Sequence, residues 1–408
     1  MSSVARPTVV VFSAAGGHFQ RLLPLVAGLV KRGADVHVLA RPEARAKTEA
    51  AGARFFDLFA KFPLDAADPE SIPLPSRLVS FAAVYAEPLI EEVAALRPAL
   101  VVYDSFVVVA PLVARRLGIP YVGMRAGHSQ VPARAIAETR ADPRVATSAA
   151  CRAAVEKLRT HYGMPEASPF SYLDGLSPHL NLCAEPPQFL DESDRGVFQP
   201  VAFFGSLAPE LRDASSSERP LADPGDGLRV YVSFGSVIWR YYAQPALAAL
   251  ARLADVLSQR GARALISLGN HPASAAEQGR LERPGVRVER YLDQWGALRD
   301  ADLFVTHHGL NSTHEAIFRE VPMLSYPFFG DQPEMARCCQ RLGLAVALTD
   351  APRAELEASR VHRAIDSVLE QHDAFAARLA EARRWELEVI AGREQVLDRV
   401  MAFARRSG

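Results

Sequence analysis

The residues best suited to chemistry lie in one segment, where a short apolar run leads through a glycine turn into a helix. Leu303–Thr306 predicts a strand, and His307–Gly309 predicts the turn. Asn311–Arg319 has helical periodicity, and a second short strand is predicted at Met323–Tyr326. The first turn of such a helix carries unpaired backbone N–H groups at the positive end of the helix dipole. The segment therefore predicts a site for an anion.

The elements that must position this site alternate between strands and helices on both sides of it. In the first half, strands are predicted at Val9–Phe12, Asp35–Ala40 and Ala99–Tyr103, and an amphipathic helix at Phe19–Lys31. The same alternation restarts at Arg229, which predicts two parallel sheets with right-handed crossovers and an α/β fold class. The pattern is weaker between residues 129 and 187, where one helix is predicted around 149–162.

Length and composition limit the class of protein. The chain has 408 residues, enough for two domains, and a net charge of −1 with no basic block, which argues against nucleic acid as the main partner. None of its four cysteines forms a C-x-x-C pair, so a reduced, cytoplasmic protein is expected. The longest apolar run, 99–114, contains Asp104 and Pro111 and does not predict a membrane span.

The segment resembles the signature of the family 1 nucleotide-sugar glycosyltransferases, of which bacterial natural-product and macrolide enzymes are members. The matching residues are Thr306-His307-His308-Gly309-Leu310-Asn311-Ser312-Thr313-His314-Glu315, then Val321-Pro322-Met323, then Pro327 and Asp331-Gln332. Two residues depart from the family pattern. His308 replaces what is often a second glycine and is expected to narrow the room beside the phosphates. Glu320 replaces another glycine and is expected to affect only the end of the helix.

The resemblance implies the GT-B fold, in which two Rossmann-like domains face each other across a cleft. We predict an acceptor-binding domain at 1–205 and a nucleotide-sugar-binding domain at 228–390. The Pro-, Ser- and Gly-rich stretch 206–227 is the predicted linker. The final helix, 391–408, is expected to cross back to the first domain.

The family places its general base at the position of His18, which follows Gly16-Gly17 at the start of the first helix. An imidazole with a pKa near neutrality suits that role, and a carboxylate such as Asp104 would fix its tautomer. The alternatives are a polar loop histidine and, for Asp104, a cap of the helix that is predicted to begin at Val107.

The resemblance also implies the donor site. Its predicted residues are Gly17, Ser236, Tyr291, Leu292, Gln294, His307, Gly309, Asn311, Ser312, Glu315, Asp331 and Gln332. Ser312 would contact phosphate and Glu315 the ribose, although the pair also reads as a capping box. No metal is expected, because the dipole of the signature helix and His307 would replace the cation. The D-x-D at Asp300–Asp302 precedes a strand and so lies away from the ligand edge.

Together these features predict an inverting, metal-independent transferase that needs no cofactor. It would move a hexose from a UDP- or dTDP-sugar to a hydroxyl of a small natural-product acceptor. Three alternatives remain at the level of sequence. They are a nucleotide-sugar 2-epimerase, a non-catalytic nucleotide-sugar-binding auxiliary protein, and transfer to a lipid-linked or cell-wall acceptor.

Overall fold

Parallel strand pairing organises the whole protein. The computed structural model describes residues 6–125, 128, 130–207, 209, 220–221 and 227–406, and within them thirteen strands form two sheets. The described residues divide into two compact units. Unit 1 comprises those up to Ser206 and from Val389 onward, and unit 2 comprises those between them.

The sheet of unit 1 has the strand order β3-β2-β1-β4-β5-β6-β7. Its strands are β1 (Thr8–Phe12), β2 (Asp35–Ala40), β3 (Arg54–Asp57), β4 (Leu100–Asp104), β5 (Tyr121–Arg125), β6 (Leu180–Cys183) and β7 (Val201–Phe203). The order reverses between β1 and β4, whose residues are almost all buried, as expected for a parallel sheet covered on both faces. This reversal point is where ligands bind in open α/β sheets.

The helices of unit 1 alternate with these strands along the chain. They are α1 (Gly16–Lys31), α2 (Arg45–Ala50), α3 (Leu58–Lys61), α4 (Leu64–Ala67), α5 (Arg77–Ala95), α6 (Val109–Leu117), α7 (Pro132–Ala141), α8 (Ala149–Thr160) and α9 (Ser171–Asp174). Short 3-10 helices lie at Pro42–Ala44, Leu74–Ser76, Pro187–Phe189 and Glu192–Phe198.

Unit 2 repeats the plan with the order β10-β9-β8-β11-β12-β13, which reverses between β8 and β11. Its strands are β8 (Arg229–Ser233), β9 (Arg263–Ser267), β10 (Val286–Glu289), β11 (Leu303–Thr306), β12 (Met323–Ser325) and β13 (Ala345–Ala347). Its helices are α10 (Trp239–Gln259), α11 (Ala275–Gly279), α12 (Gln294–Leu298), α13 (Leu310–Phe318), α14 (Gln332–Arg341), α15 (Ala358–Glu370) and the first part of α16 (His372–Arg406).

The last part of α16 packs against α1 inside unit 1. A Cβ placed on Gly28 would lie 2.5 Å from the Leu397 side chain, so a larger residue would require that side chain to move. Next to that contact, Arg32 bonds Glu394 at 2.6 Å and Asp398 at 2.8 Å. The end of the chain is therefore part of the unit that contains its beginning.

The structure confirms the predicted α/β class and corrects several details. Between residues 129 and 187 the structure contains β6 and α7 besides the predicted helix. The sequence did not predict β6 because this strand is only four residues long and shows no clear periodicity. Helix α6 begins at Val109 rather than at Val107. Most of the predicted linker, 206–227, lies outside the described residues. Among the residues described, no helix is both long and apolar enough to cross a bilayer.

Candidate active site

His18 stands where the sheet order of unit 1 reverses. The chain leaves β1 at Phe12, passes through a loop of small residues and enters α1 at Gly16, so that His18 lies in the first turn. No side chain caps this helix. A Cβ on Gly16 or Gly17 would meet no atom within 4 Å, so the two glycines leave open space beside the imidazole. The His18 side chain is 14% exposed and can reach a ligand there.

Asp104, the last residue of β4, is fully buried and has four hydrogen-bond partners. Its Oδ2 accepts from Ser13 Oγ at 2.9 Å and from the Ala14 N–H at 2.8 Å. Its Oδ1 accepts from the Phe106 N–H at 2.9 Å and lies 3.2 Å from His18 Nδ1. The carboxylate is thus held by the loop after β1, by the loop after β4 and by α1.

Electrostatics keep that carboxylate ionised. Burial raises the pKa of Asp104, but the adjacent His18 and the hydrogen bonds from Ala14 and Ser13 outweigh it and hold the pKa below its usual value. The alternative role of Asp104 as a helix cap is wrong. Helix α6 begins at Val109 and has no side-chain cap, and the Asp104 carboxylate accepts instead from the Phe106 N–H, which precedes the helix.

The aromatic ring of Phe106 packs against the His18 imidazole. The ring centroids of Phe106 and His18 are 4.2 Å apart in an edge-on arrangement, and Phe106 also contacts Tyr172 at 5.4 Å. Since Nδ1 faces Asp104, Nε2 is the nitrogen that can take a proton. Sequence reasoning missed both Phe106 and Ser13. Their positions at the carboxyl ends of β4 and β1 were the available signal.

The second site lies at the corresponding reversal point of unit 2, after β8 and β11. The His307 ring lies between two glycines. A Cβ on Gly309 would be 2.5 Å from His307 Nε2, and one on Gly235 would be 2.8 Å from the same nitrogen. Burial lowers the pKa of His307 to about 4, although Asp331 and the Ser233 backbone oppose the shift. His307 is therefore neutral at pH 7 and, as the structure stands, does not supply the positive charge that was expected of it.

His308 lies elsewhere than expected. Its imidazole is fully buried, with Nδ1 3.2 Å from Thr313 Oγ1 and Nε2 2.7 Å from Ser325 Oγ. The side chain thus lies between α13 and β12, and it does not narrow the space that was expected to hold the phosphates. Glu320, at φ +57°, follows the end of α13, where a left-handed residue terminates the helix.

The start of α13 has no side-chain cap. Gly309 is the N-cap residue, so the capping-box interpretation of Ser312 and Glu315 is wrong: both lie inside the helix. The Gln294 amide instead bonds Glu315 Oε2 at 2.7 Å and Ser312 Oγ at 3.1 Å. Three predicted donor residues are therefore brought together, beside a helix end whose first N–H groups have no capping side chain.

The remaining donor candidates of unit 2 lie on loops after its strands, apart from Asn311 in the first turn of α13 and Gln332 at the start of α14. Ser236 is exposed after β8, and Tyr291, at 70% exposure, precedes the partly buried Leu292 after β10. Gln332 is the first residue of α14, and its Oε1 accepts a hydrogen bond from the Phe328 N–H at 2.9 Å. Gly17, the other predicted donor residue, lies in unit 1.

The D-x-D residues, 300–302, precede β11 and so lie at the end of that strand away from His307. Asp302 Oδ2 accepts from the backbone N–H of Arg229 at 2.9 Å and from its Nε at 3.0 Å. Among the described residues, no group of three or more His, Cys, Asp or Glu side chains could hold a metal ion.

Comparison with known proteins supports the resemblance. The family model of UDP-glucuronosyl and UDP-glucosyl transferases matches residues 199–377. An uncharacterised UDP-glucosyltransferase of Bacillus subtilis (strain 168) is 23% identical, covering 96% of this chain and 97% of its own. The oleandomycin glycosyltransferase of Streptomyces antibioticus is 28% identical over 85% and 81% of the two chains. The crystal structure of the kitacinnamycin glycosyltransferase superposes with a TM-score of 0.74 at 21% identity, covering 98% and 100%. The predicted GT-B fold is confirmed.

Proposed function

We propose, from the premise that this chain is a glycosyltransferase of the GT-B fold, that it is an inverting and metal-independent enzyme. It moves a hexose from a UDP- or dTDP-sugar to a hydroxyl of a small natural-product acceptor. In this proposal residues 1–205 bind the acceptor and residues 228–390 bind the donor. The oleandomycin and kitacinnamycin relatives support the acceptor class.

The observation that carries the proposal is the buried carboxylate of Asp104 against His18 Nδ1. In the proposed reaction His18 Nε2 removes the proton of the acceptor hydroxyl while the oxygen bonds to the anomeric carbon. The bond from that carbon to the diphosphate oxygen breaks, and its electrons leave with the nucleoside diphosphate. One displacement inverts the carbon. Asp104 stays ionised and stabilises the imidazolium that forms.

The diphosphate would be held by the start of α13. Its first backbone N–H groups would supply positive potential without a cation, and the neutral His307 ring would line the diphosphate site beside them. The departing diphosphate gains charge as the bond breaks, so donors that are already oriented stabilise the transition state more than the ground state. The engagement of Asp302 by Arg229 is consistent with metal independence.

The rest of the donor would lie along the carboxyl edge of the same sheet. Glu315, held by Gln294, would accept from the ribose hydroxyls, and the base would stack near Tyr291 and Leu292. Asp331 and Gln332 would bind sugar hydroxyls. Because Gln332 Oε1 is occupied by backbone N–H groups, it would act as a donor of hydrogen bonds to the sugar.

A donor panel tests the function. Purified protein is incubated with UDP- and dTDP-hexoses, with and without pooled natural-product acceptors, and release of nucleoside diphosphate is measured. We expect release that requires an acceptor and continues in a chelator. Donor turnover to an epimerised sugar without acceptor, or binding of nucleotide without any transfer, would overturn the proposal. Loss of activity in the chelator would overturn metal independence alone.

A further inference from the structure

His308 occupies a backbone conformation that favours glycine. Its φ is +59°, in the left-handed region where a Cβ crowds the neighbouring carbonyl. A buried non-glycine residue stays in that region only when its surroundings hold it there. Hydrogen bonds to three hydroxyl groups surround His308.

Three elements hold the residue. The His308 N–H donates to Thr306 Oγ1 at 3.2 Å, at the end of β11. The imidazole spans the gap between Thr313 in α13 and Ser325 at the end of β12, with the two ring nitrogens bonded one to each hydroxyl. Burial lowers the pKa of His308 to about 3, so the ring stays neutral, with one nitrogen donating and the other accepting.

The turn that His308 holds also sets the proposed donor site. On one side of it, the His307 ring is confined against Gly309 and Gly235. On the other side, Gly309 caps α13 without any side-chain hydrogen bond, so the direction of the first N–H groups depends on the backbone alone. Thr313 Oγ1 also lies 3.3 Å from the Gly309 carbonyl, which links the turn to the helix a second time.

We propose that His308 is a positioning residue: its buried imidazole, tied to Thr313 and Ser325, fixes the turn that aims His307 and the start of α13 at the donor diphosphate. This inference rests on the proposed function, since it concerns the same donor site. His308 itself does not touch the diphosphate. Its effect should therefore appear in the binding of the donor and be absent from the binding of the acceptor.

The chain offers a matched control at the other end of the same helix. Glu320 has nearly the same backbone conformation, with φ +57°, but it is exposed and its carboxylate lies 3.3 Å from Arg383 Nη1. Replacing either residue by glycine relieves the left-handed conformation equally. Only the replacement of His308 removes the ties to α13 and β12.

The experiment compares His308→Gly and Glu320→Gly with the wild type. Measurements are the Kd of UDP and of dTDP by titration calorimetry, the KM of donor and of acceptor, kcat, and the Tm. We expect His308→Gly to weaken nucleoside diphosphate binding about tenfold or more and to raise the donor KM in parallel, with the acceptor KM unchanged. Glu320→Gly should stay within about twofold. His308→Asn, which tolerates the left-handed region and can form one of the two bonds, should be intermediate.

Unchanged nucleotide binding in His308→Gly, or equal losses in both glycine variants, would overturn the inference. If His308→Gly does not fold, Ser325→Ala decides instead, because it removes one tie without altering the backbone of the turn. A donor-specific loss in that variant supports the proposal, and wild-type affinity overturns it. A wild-type protein that binds neither UDP nor dTDP would instead refute the proposed donor site.

Discussion

Each unit carries histidine at the point where its strand order reverses, but the two surroundings differ. In unit 1, His18 is partly exposed and faces the ionised Asp104 at 3.2 Å. In unit 2, His307 and His308 are buried, and burial lowers their pKa values to about 4 and about 3. The same side chain thus faces an ionised carboxylate in one unit and is kept neutral by burial in the other.

The difference shows that neither residue type nor topological position sets the role of a histidine here. Both sites follow the carboxyl ends of adjacent parallel strands. What differs is the neighbour: a carboxylate with four partners beside His18, and glycine backbone or hydroxyl groups around the other two. A carboxylate in hydrogen-bond contact stabilises imidazolium, whereas burial of His307 outweighs the attraction of Asp331 and keeps that ring neutral.

The largest expected effect comes from removing the charge in unit 1. Asp104→Asn should lower kcat on the order of 10³-fold, because the imidazolium loses its counterion and the tautomer is no longer fixed. Nucleoside diphosphate affinity should remain as in the wild type. A double variant with His18→Ala should be no slower than His18→Ala alone, since the two residues act as one unit. Additive losses would show that Asp104 acts independently of His18.

The pH dependence of the free energy of unfolding should distinguish the two sites. The pKa of His307 is lowered from 6.5 in the unfolded chain to about 4, so the folded protein binds fewer protons. Its contribution is complete above pH 6.5 and is lost as the pH falls toward 4, by roughly 3 kcal/mol in the free energy of unfolding. The pKa of Asp104 lies below 3.8, so its contribution is lost only below that pH. Urea unfolding between pH 7.5 and 4 measures the first window. His308, whose pKa is lowered to about 3, contributes to the slope in the same window, so His307→Gln should reduce the slope without abolishing it. An unchanged slope would contradict the assignment.

A smaller effect is expected from filling the space beside His307. Gly309→Ala would place a Cβ 2.5 Å from Nε2 and displace the ring, which should raise the donor KM roughly tenfold while the acceptor KM stays constant. Gly279→Ala is a suitable control, because a Cβ there meets no atom within 4 Å. Equal donor KM values in the two variants would indicate that the ring does not contribute to donor binding.

The smallest effect is expected at the exposed end of the proposed donor site. Tyr291→Ala should raise the donor KM only a few-fold, because a side chain that is 70% exposed can stack on a base from one side only. Tyr291→Phe should behave as the wild type. A loss larger than that of Gly309→Ala would mean that base stacking contributes more to donor affinity than the diphosphate site does.

The sequence predicted the parts of this arrangement that depend on local pattern. Apolar strands followed by small residues predicted where the two sheets end, and the motif from Thr306 to Gln332 predicted the strand, turn and helix in their observed order. Properties set by tertiary burial were not predictable. The neutrality of His307, the inward direction of His308 and the pairing of Glu315 with Gln294 all depend on neighbours far along the chain or on surroundings that no spacing reveals.

The contact of Leu397 with Gly28 constrains how this enzyme can be recombined with its relatives. A chimera that exchanges everything after the linker would pair α1 with a foreign carboxyl terminus and lose the bonds from Arg32 to Glu394 and Asp398. Since α1 carries His18, such a hybrid would disturb the residue proposed as the base while exchanging only the unit proposed to bind the donor. The productive crossover uses two junctions, so that residues from 389 onward come from the same parent as the first half.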